Sequence, residues 1–192
     1  MKKPNSYDET KVGGEYTPIE VGGHRLVIKK VEETTSKAGK PMLKVYVDTT
    51  SDDVQPAFFM NEFKNDIRPE KKWPNGGTIY IMVEDSEGKT SRKFKQFVTS
   101  AERSNEFEAQ WGDGFADQFK DKYIGGVYGK VENEYNGKTF MRHELRWFCS
   151  LENAANAAIP EPKYLNNGSS ATASGDNGFV SVPEGSVEDL PF

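Results

Sequence analysis

The chain has 192 residues, 30 Asp and Glu against 25 Lys and Arg, 35% hydrophobic residues, one Cys and two His. That length buries one good core but not two large ones, and Cys149 with only His24 and His143 beside it leaves no intrachain disulfide and no zinc-type spacing. The opening residues lack the apolar stretch of a signal peptide, and no apolar run approaches the ~20 residues of a membrane span, so a soluble, cytoplasmic protein is expected.

The elements in chain order are mostly β. His24 to Val31 is a strand after the Gly22-Gly23 break, and Pro41 to Asp48 is a second strand with period-two alternation. Ser36 to Lys40 is the turn between them. Met42, Lys44 and Tyr46 share the face opposite Leu43, Val45 and Val47, so if the latter fill a barrel the former lie outside. A third strand region comes in two pieces, Ala57 to Phe63 and Thr78 to Val83. Phe58 and Phe59 point to opposite faces of the first piece, and one of them is core. In the second, Tyr80 lies opposite Ile79, Ile81 and Val83.

Between the pieces runs a basic insertion, Lys64 to Gly77, carrying Lys64, Arg68, Lys71 and Lys72 with Trp73. Trp73 beside Pro74 in a polar loop either displays its ring or folds back over the barrel. Ser91 then caps a helix whose Phe94, Phe97, Val98 and Ala101 form one apolar stripe.

Two last strands, Tyr123 to Glu134 and Lys138 to Phe148, meet at Tyr135-Asn136-Gly137. A two-residue Asn-Gly loop would set Val127 and Val131 opposite Arg146 and Arg142, whereas a three-residue loop with a glycine bulge pairs Val131 with Met141 and Val127 with Leu145. The second register is expected, with Tyr128, Lys130, Phe140, Arg142 and Arg146 on the other face. The order of three strands, a helix and two strands is that of a five-stranded OB barrel with a capping helix; an immunoglobulin-like sandwich would need about seven strands and no central helix.

Single-stranded nucleic acid is held by a basic groove with aromatic rings on which bases stack. Lys44, Tyr46, Tyr80, Tyr128, Lys130, Phe140, Arg142 and Arg146 on strands, with Lys64, Arg68, Lys71, Lys72 and Trp73 in the insertion, are therefore the candidate contacts. Lys29, Lys30, Lys37 and Lys40 read more simply as solvated. No catalytic constellation emerges: the two histidines have no nucleophile near them in sequence, and the glycine pairs lack the Lys-Ser/Thr of a phosphate loop. No enzymatic activity and no cofactor are expected.

The acidity is concentrated at the end. From Glu161 onward there are five acids and one base, which leaves 25 acids and 24 bases in residues 1–160. Residues 161–187, rich in Gly, Ser, Asn and Ala, read as a flexible linker after an OB body over 1–160, and residues 188–192 as a docking tip. In that tip Phe192 suits an apolar pocket, Pro191 lowers the ordering cost, Leu190 adds apolar contact, and Glu188, Asp189 and the terminal carboxylate suit basic partner residues.

The ending Glu188-Asp189-Leu190-Pro191-Phe192 resembles the acidic tip of bacterial and phage single-stranded DNA-binding proteins. The body, through Gly23 to Lys44, Phe94-Lys95-Gln96-Phe97, and Tyr123 to Lys130 with Glu134 to Lys138, resembles phage- and prophage-encoded members of a replication or recombination cassette. The tip has two adjacent acids where the bacterial pattern usually has more. The resemblance implies sequence-tolerant coating of single-stranded DNA by an OB fold, in the host cytoplasm, with the tip recruiting replication or recombination proteins and with homo-oligomers possible in the family. The competing expectation is an OB-like module that binds only protein, as a recombination modulator or assembly factor.

Overall fold

The computed structural model describes residues 2–5 and 17–165; the linker beyond Leu165 and the tip Glu188 to Phe192 lie outside the described residues. The chain forms β1 (Gly22–Thr35), β2 (Pro41–Thr49), helix α1 (Phe58–Asn65), β3 (Thr78–Met82), helix α2 (Arg92–Ser104), β4 (Tyr123–Tyr135), β5 (Lys138–Cys149) and a short helix α3 (Leu151–Ala154). The strands make one antiparallel five-stranded sheet in the order β3-β2-β1-β4-β5, which is not closed. Among the described residues no helix is long and apolar enough to cross a membrane.

β1 is the hinge of the sheet. Its residues Gly22 to Val27 pair with β4, while Leu26 to Thr35 pair with β2. The far halves of β1 and β2 therefore project past one end of the shared region, and the far halves of β4 and β5 past the other. The inner face buries Leu26, Ile28, Val45, Val47, Ile81 and Ile124, and α2 lays its stripe against it, with Phe97 5.3 Å from Phe148 and 5.0 Å from Phe119. Ser91 caps α2 as the sequence predicts, its Oγ accepting from Phe94 N at 3.1 Å.

The segment predicted as the first half of the third strand is instead α1. Its start is fixed by two buried residues at the end of β2: Asp48 Oδ1 accepts from Phe59 N and Met60 N at 3.0 and 3.2 Å, and Thr49 Oγ1 accepts from Phe58 N at 2.8 Å. These bonds satisfy helix donors that α1's own first turn leaves open. Phe59 is the core residue of the Phe58/Phe59 pair, at 1% exposure.

The β4–β5 register also differs from expectation. Tyr135 pairs with Lys138 across a two-residue turn, with Asn136 and Gly137 at φ 50° and 74°, the left-handed pair of a type I′ turn that matches strand twist. The pairing that the sequence reading rejected is relieved by a bulge: Val127 faces Trp147 and Tyr128 faces Leu145, so Arg146 is the extra residue. Val127 and Val131 lie on the outer face, not in the core, yet stay buried because the chain after β5 runs back over them. Glycines make room for that segment: a Cβ on Gly23 would stand 1.8 Å from Ala154 O, one on Gly125 2.5 Å from Ser150 O, and one on Gly129 2.4 Å from Pro160 Cγ. Pairing continues to Lys163, whose N donates to Lys130 O at 2.9 Å and whose O accepts from Glu132 N at 2.8 Å.

Candidate nucleic-acid interface

The outer face of β1, β2 and β3 carries two adjacent rows, Lys30-Tyr46-Thr78 and Glu32-Lys44-Tyr80. Alternation places them there, because Val31, Leu43, Val45, Ile79 and Ile81 take the inner face. Lys44 Nζ sits 5.0 Å from the Tyr46 ring centre and 5.7 Å from that of Tyr80, within cation–π range of both. Tyr46 Oη donates to Glu32 Oε2 at 2.9 Å, and Lys30 Nζ donates to Glu32 Oε1 at 2.5 Å.

Burial by itself would lower the Lys44 pKa, but interaction with the hydroxyls of Tyr46 and Tyr80 outweighs it, so the group is held above its ordinary value. Glu32 is held below the usual carboxylate range by the hydrogen bond from Lys30, with Tyr46 adding to it against burial. The patch is therefore two cations, one carboxylate and two half-buried rings. The sequence offers Lys30 only as a solvated charge and does not single out Glu32; their i, i+2 spacing on β1 is the signal that puts them on one face.

The insertion divides its residues. Trp73 folds inward: Nε1 donates to Val47 O at 3.2 Å and the ring lies 5.5 Å from Phe63, so it is not displayed. Arg68 is engaged by Asp66, with Nε 3.0 Å from both carboxylate oxygens and Nη2 at 2.8 Å, and that contact holds the Asp66 carboxyl far below its usual range. Lys64, Lys71 and Lys72 are exposed, with Lys71 Nζ donating to Lys64 O at 2.8 Å.

On β4 and β5 the expected basic and aromatic face does not assemble. Tyr128 is corrected outright: it is 0% exposed, its Oη donates to Gly76 O at 3.0 Å, and His24 and Phe59 pack on its ring at 5.6 and 6.2 Å. Burial raises its hydroxyl pKa strongly. Lys130 is exposed opposite His143, whose Nδ1 bonds Ile19 O. Phe140, opposite Asn133, and Arg142, opposite Val131, lie on the other face. Arg146, in the bulge, reaches Glu161 O with Nη1 at 3.2 Å.

Of the residues the sequence singles out, the structure thus brings Lys44, Tyr46 and Tyr80 into one cluster and disperses the rest. Among the described residues no group of three or more His, Cys, Asp or Glu side chains is placed to hold a metal ion. The cluster that the sheet does assemble is Lys44 against the rings of Tyr46 and Tyr80, with Glu32 accepting from Tyr46 and Lys30. Compared with protein-family models and with curated proteins, the chain matches neither.

Proposed function

We propose that this protein binds single-stranded DNA without strong sequence preference, in phage replication or recombination, and that its C-terminal tip recruits partner proteins. The observation that carries the reading is Lys44 clasped between Tyr46 and Tyr80 on the outer face of β2 and β3. In an OB barrel that face is the oligonucleotide surface. The OB reading is supported by the helix α2 between β3 and β4, and by β1 pairing with both β2 and β4. β3 and β5 are then the edges that meet on closure, and Tyr128 Oη on Gly76 O ties β4 to the turn before β3.

Bases stack on the tyrosine rings, while Lys44 and Lys30 neutralise phosphates. Glu32 orients both Lys30 and Tyr46 and sets a local charge limit. Fluorescence anisotropy of a labelled dT oligonucleotide of roughly 30 nucleotides at two salt concentrations, beside duplex of equal length, tests this. Tight single-strand binding, weak duplex binding and a salt slope of several ions are expected; equal affinity for both forms, or none, counts against it.

The second reading, a module that binds only protein, is favoured by Ile67, which is 98% exposed in the basic insertion. It predicts no oligonucleotide binding by the wild type, and loss of complex formation in Ile67→Asp.

A further inference from the structure

We propose that Trp111 is a second base-stacking platform, reached by a strand that crosses the β2–β3 face and runs off the end of β3; this rests on the nucleic-acid reading above. Trp111 is 71% exposed, although its ring is held in place. It stacks on Phe115 with centres 4.8 Å apart and planes 12° from parallel, and Phe94 leans on it at 6.2 Å. Phe115 is in turn buried against Phe119 at 5.2 Å. A large ring fixed on one face and open on the other has already lost the freedom that stacking a base would otherwise remove.

The surroundings favour a nucleotide. Beside Trp111 lies a depression of about 290 Å³ with an apolar floor of Val83, Phe94 and Val98 and with Glu84 and Lys95 at its rim. A neighbouring depression shares Lys95 and adds Arg92. Two exposed cations against one acid complement a phosphate, and the ring complements its base.

Position supports the same occupant. Val83 and Glu84 directly follow β3, so Glu84 is four residues, roughly 13 Å of strand, beyond Tyr80. The β1–β2 turn reaches the same corner, where Lys40 Nζ donates to Asp85 O at 3.0 Å. The depression thus opens just past the end of β3, on the side where Val83 and α2 pack, so a strand leaving Tyr80 has to pass over that end to reach it. Trp73, the tryptophan that the sequence pointed to, faces inward, and Trp111 is the one with an exposed ring beside an apolar depression.

The test uses the full chain and a dT oligonucleotide of roughly 30 nucleotides, read by anisotropy and by tryptophan fluorescence. The wild type is expected to be quenched on binding. Trp111→Ala is expected to lose most of that quench and to bind about five- to 150-fold more weakly, with Trp111→Phe recovering part. Wild-type affinity and quench in Trp111→Ala, while Lys44→Gln/Tyr46→Ala/Tyr80→Ala loses binding, overturns the proposal even if the variant fails to capture a protein partner. Absence of single-strand binding by the wild type would instead remove the underlying reading. If loss of the ring perturbs Phe115 and shifts melting, Arg92→Gln/Lys95→Gln gives the same decision at exposed positions. Its salt slope is expected to fall by about 1.4, and an unchanged slope overturns the proposal.

Discussion

Lys44 is the residue on which the proposed binding surface turns, because it lies against two rings with one charge. On that reading its ammonium would attract phosphate while Tyr46 and Tyr80 stack bases. Lys44→Gln is therefore expected to weaken oligonucleotide binding and lower the salt slope by about 0.7, whereas Tyr80→Ala costs roughly 1 to 3 kcal/mol of affinity with little change in slope. Titrations at four salt concentrations separate the two effects.

A second residue-scale device is structural. His24, 1% exposed, has Nδ1 2.9 Å from Asp53 Oδ1 and Nε2 3.0 Å from Glu20 O, so both ring nitrogens donate and the imidazolium form fits. Asp53 also accepts from Arg25 N and Gln55 N, and the edge of Tyr128 packs on the imidazole. Burial pulls the His24 pKa down, but the hydrogen bond and charge of Asp53, aided by Glu20, raise it above 6.5. Burial pushes Asp53 up, but His24 and the two backbone donors bring it below 3.8.

The signs of the two contributions are opposite. The His24 contribution is complete below pH 6.5 and is lost as pH rises through the raised folded value; that of Asp53 is present above pH 3.8 and is lost as pH falls through the lowered one. Urea denaturation is expected to show greatest stability between these limits. In His24→Gln the alkaline limb flattens and roughly 3 kcal/mol is lost at mildly acid pH. An unchanged pH profile would show that the pair is not ionic.

At the scale of elements, α1 and the segment after β5 are held by contacts distant in sequence. Asp48 carries the start of α1 through Phe59 N and Met60 N; Asp48→Ala leaves buried donors unpaired and is expected to cost roughly 2 to 4 kcal/mol in thermal or urea melts, with Asp48→Asn milder. Gly23→Ala drives a Cβ into Ala154 O. It is expected to detach the returning segment, seen as faster proteolysis after Cys149 with β1–β3 still protected.

The same contacts mark what the sequence does and does not reveal. β1, β2 and α2 follow from alternation, the helical stripe and the Ser91 cap. The Lys44, Tyr46 and Tyr80 cluster follows from the same alternation on β2 and β3. α1 is illegible because Phe59 and Phe63 fit either period, and the deciding caps come from Asp48 and Thr49. Tyr128 was misplaced because faces were sorted on the assumption that Val127 and Val131 must be core. The glycine-lined outer face and the Arg146 bulge allow those valines to be buried from outside instead.

For the whole molecule, charge is partitioned. A body near neutrality generates little long-range field, so affinity for a polyanion has to come from local clusters, while the acids after residue 160 supply most of the net charge of −5. Deleting the last ten residues is accordingly expected to leave or raise single-strand affinity at low salt while abolishing capture of replication or recombination proteins. A large fall in affinity would contradict that division between body and tip.

On the proposed reading, the outer face of β2 and β3 is the single-strand surface. This claim is tested most directly by titrating the same dT oligonucleotide with wild type and with Lys44→Gln/Tyr46→Ala/Tyr80→Ala, each checked for melting temperature. A loss of more than about a hundredfold in affinity with unchanged melting is predicted, and equal affinity in the two proteins would contradict the account.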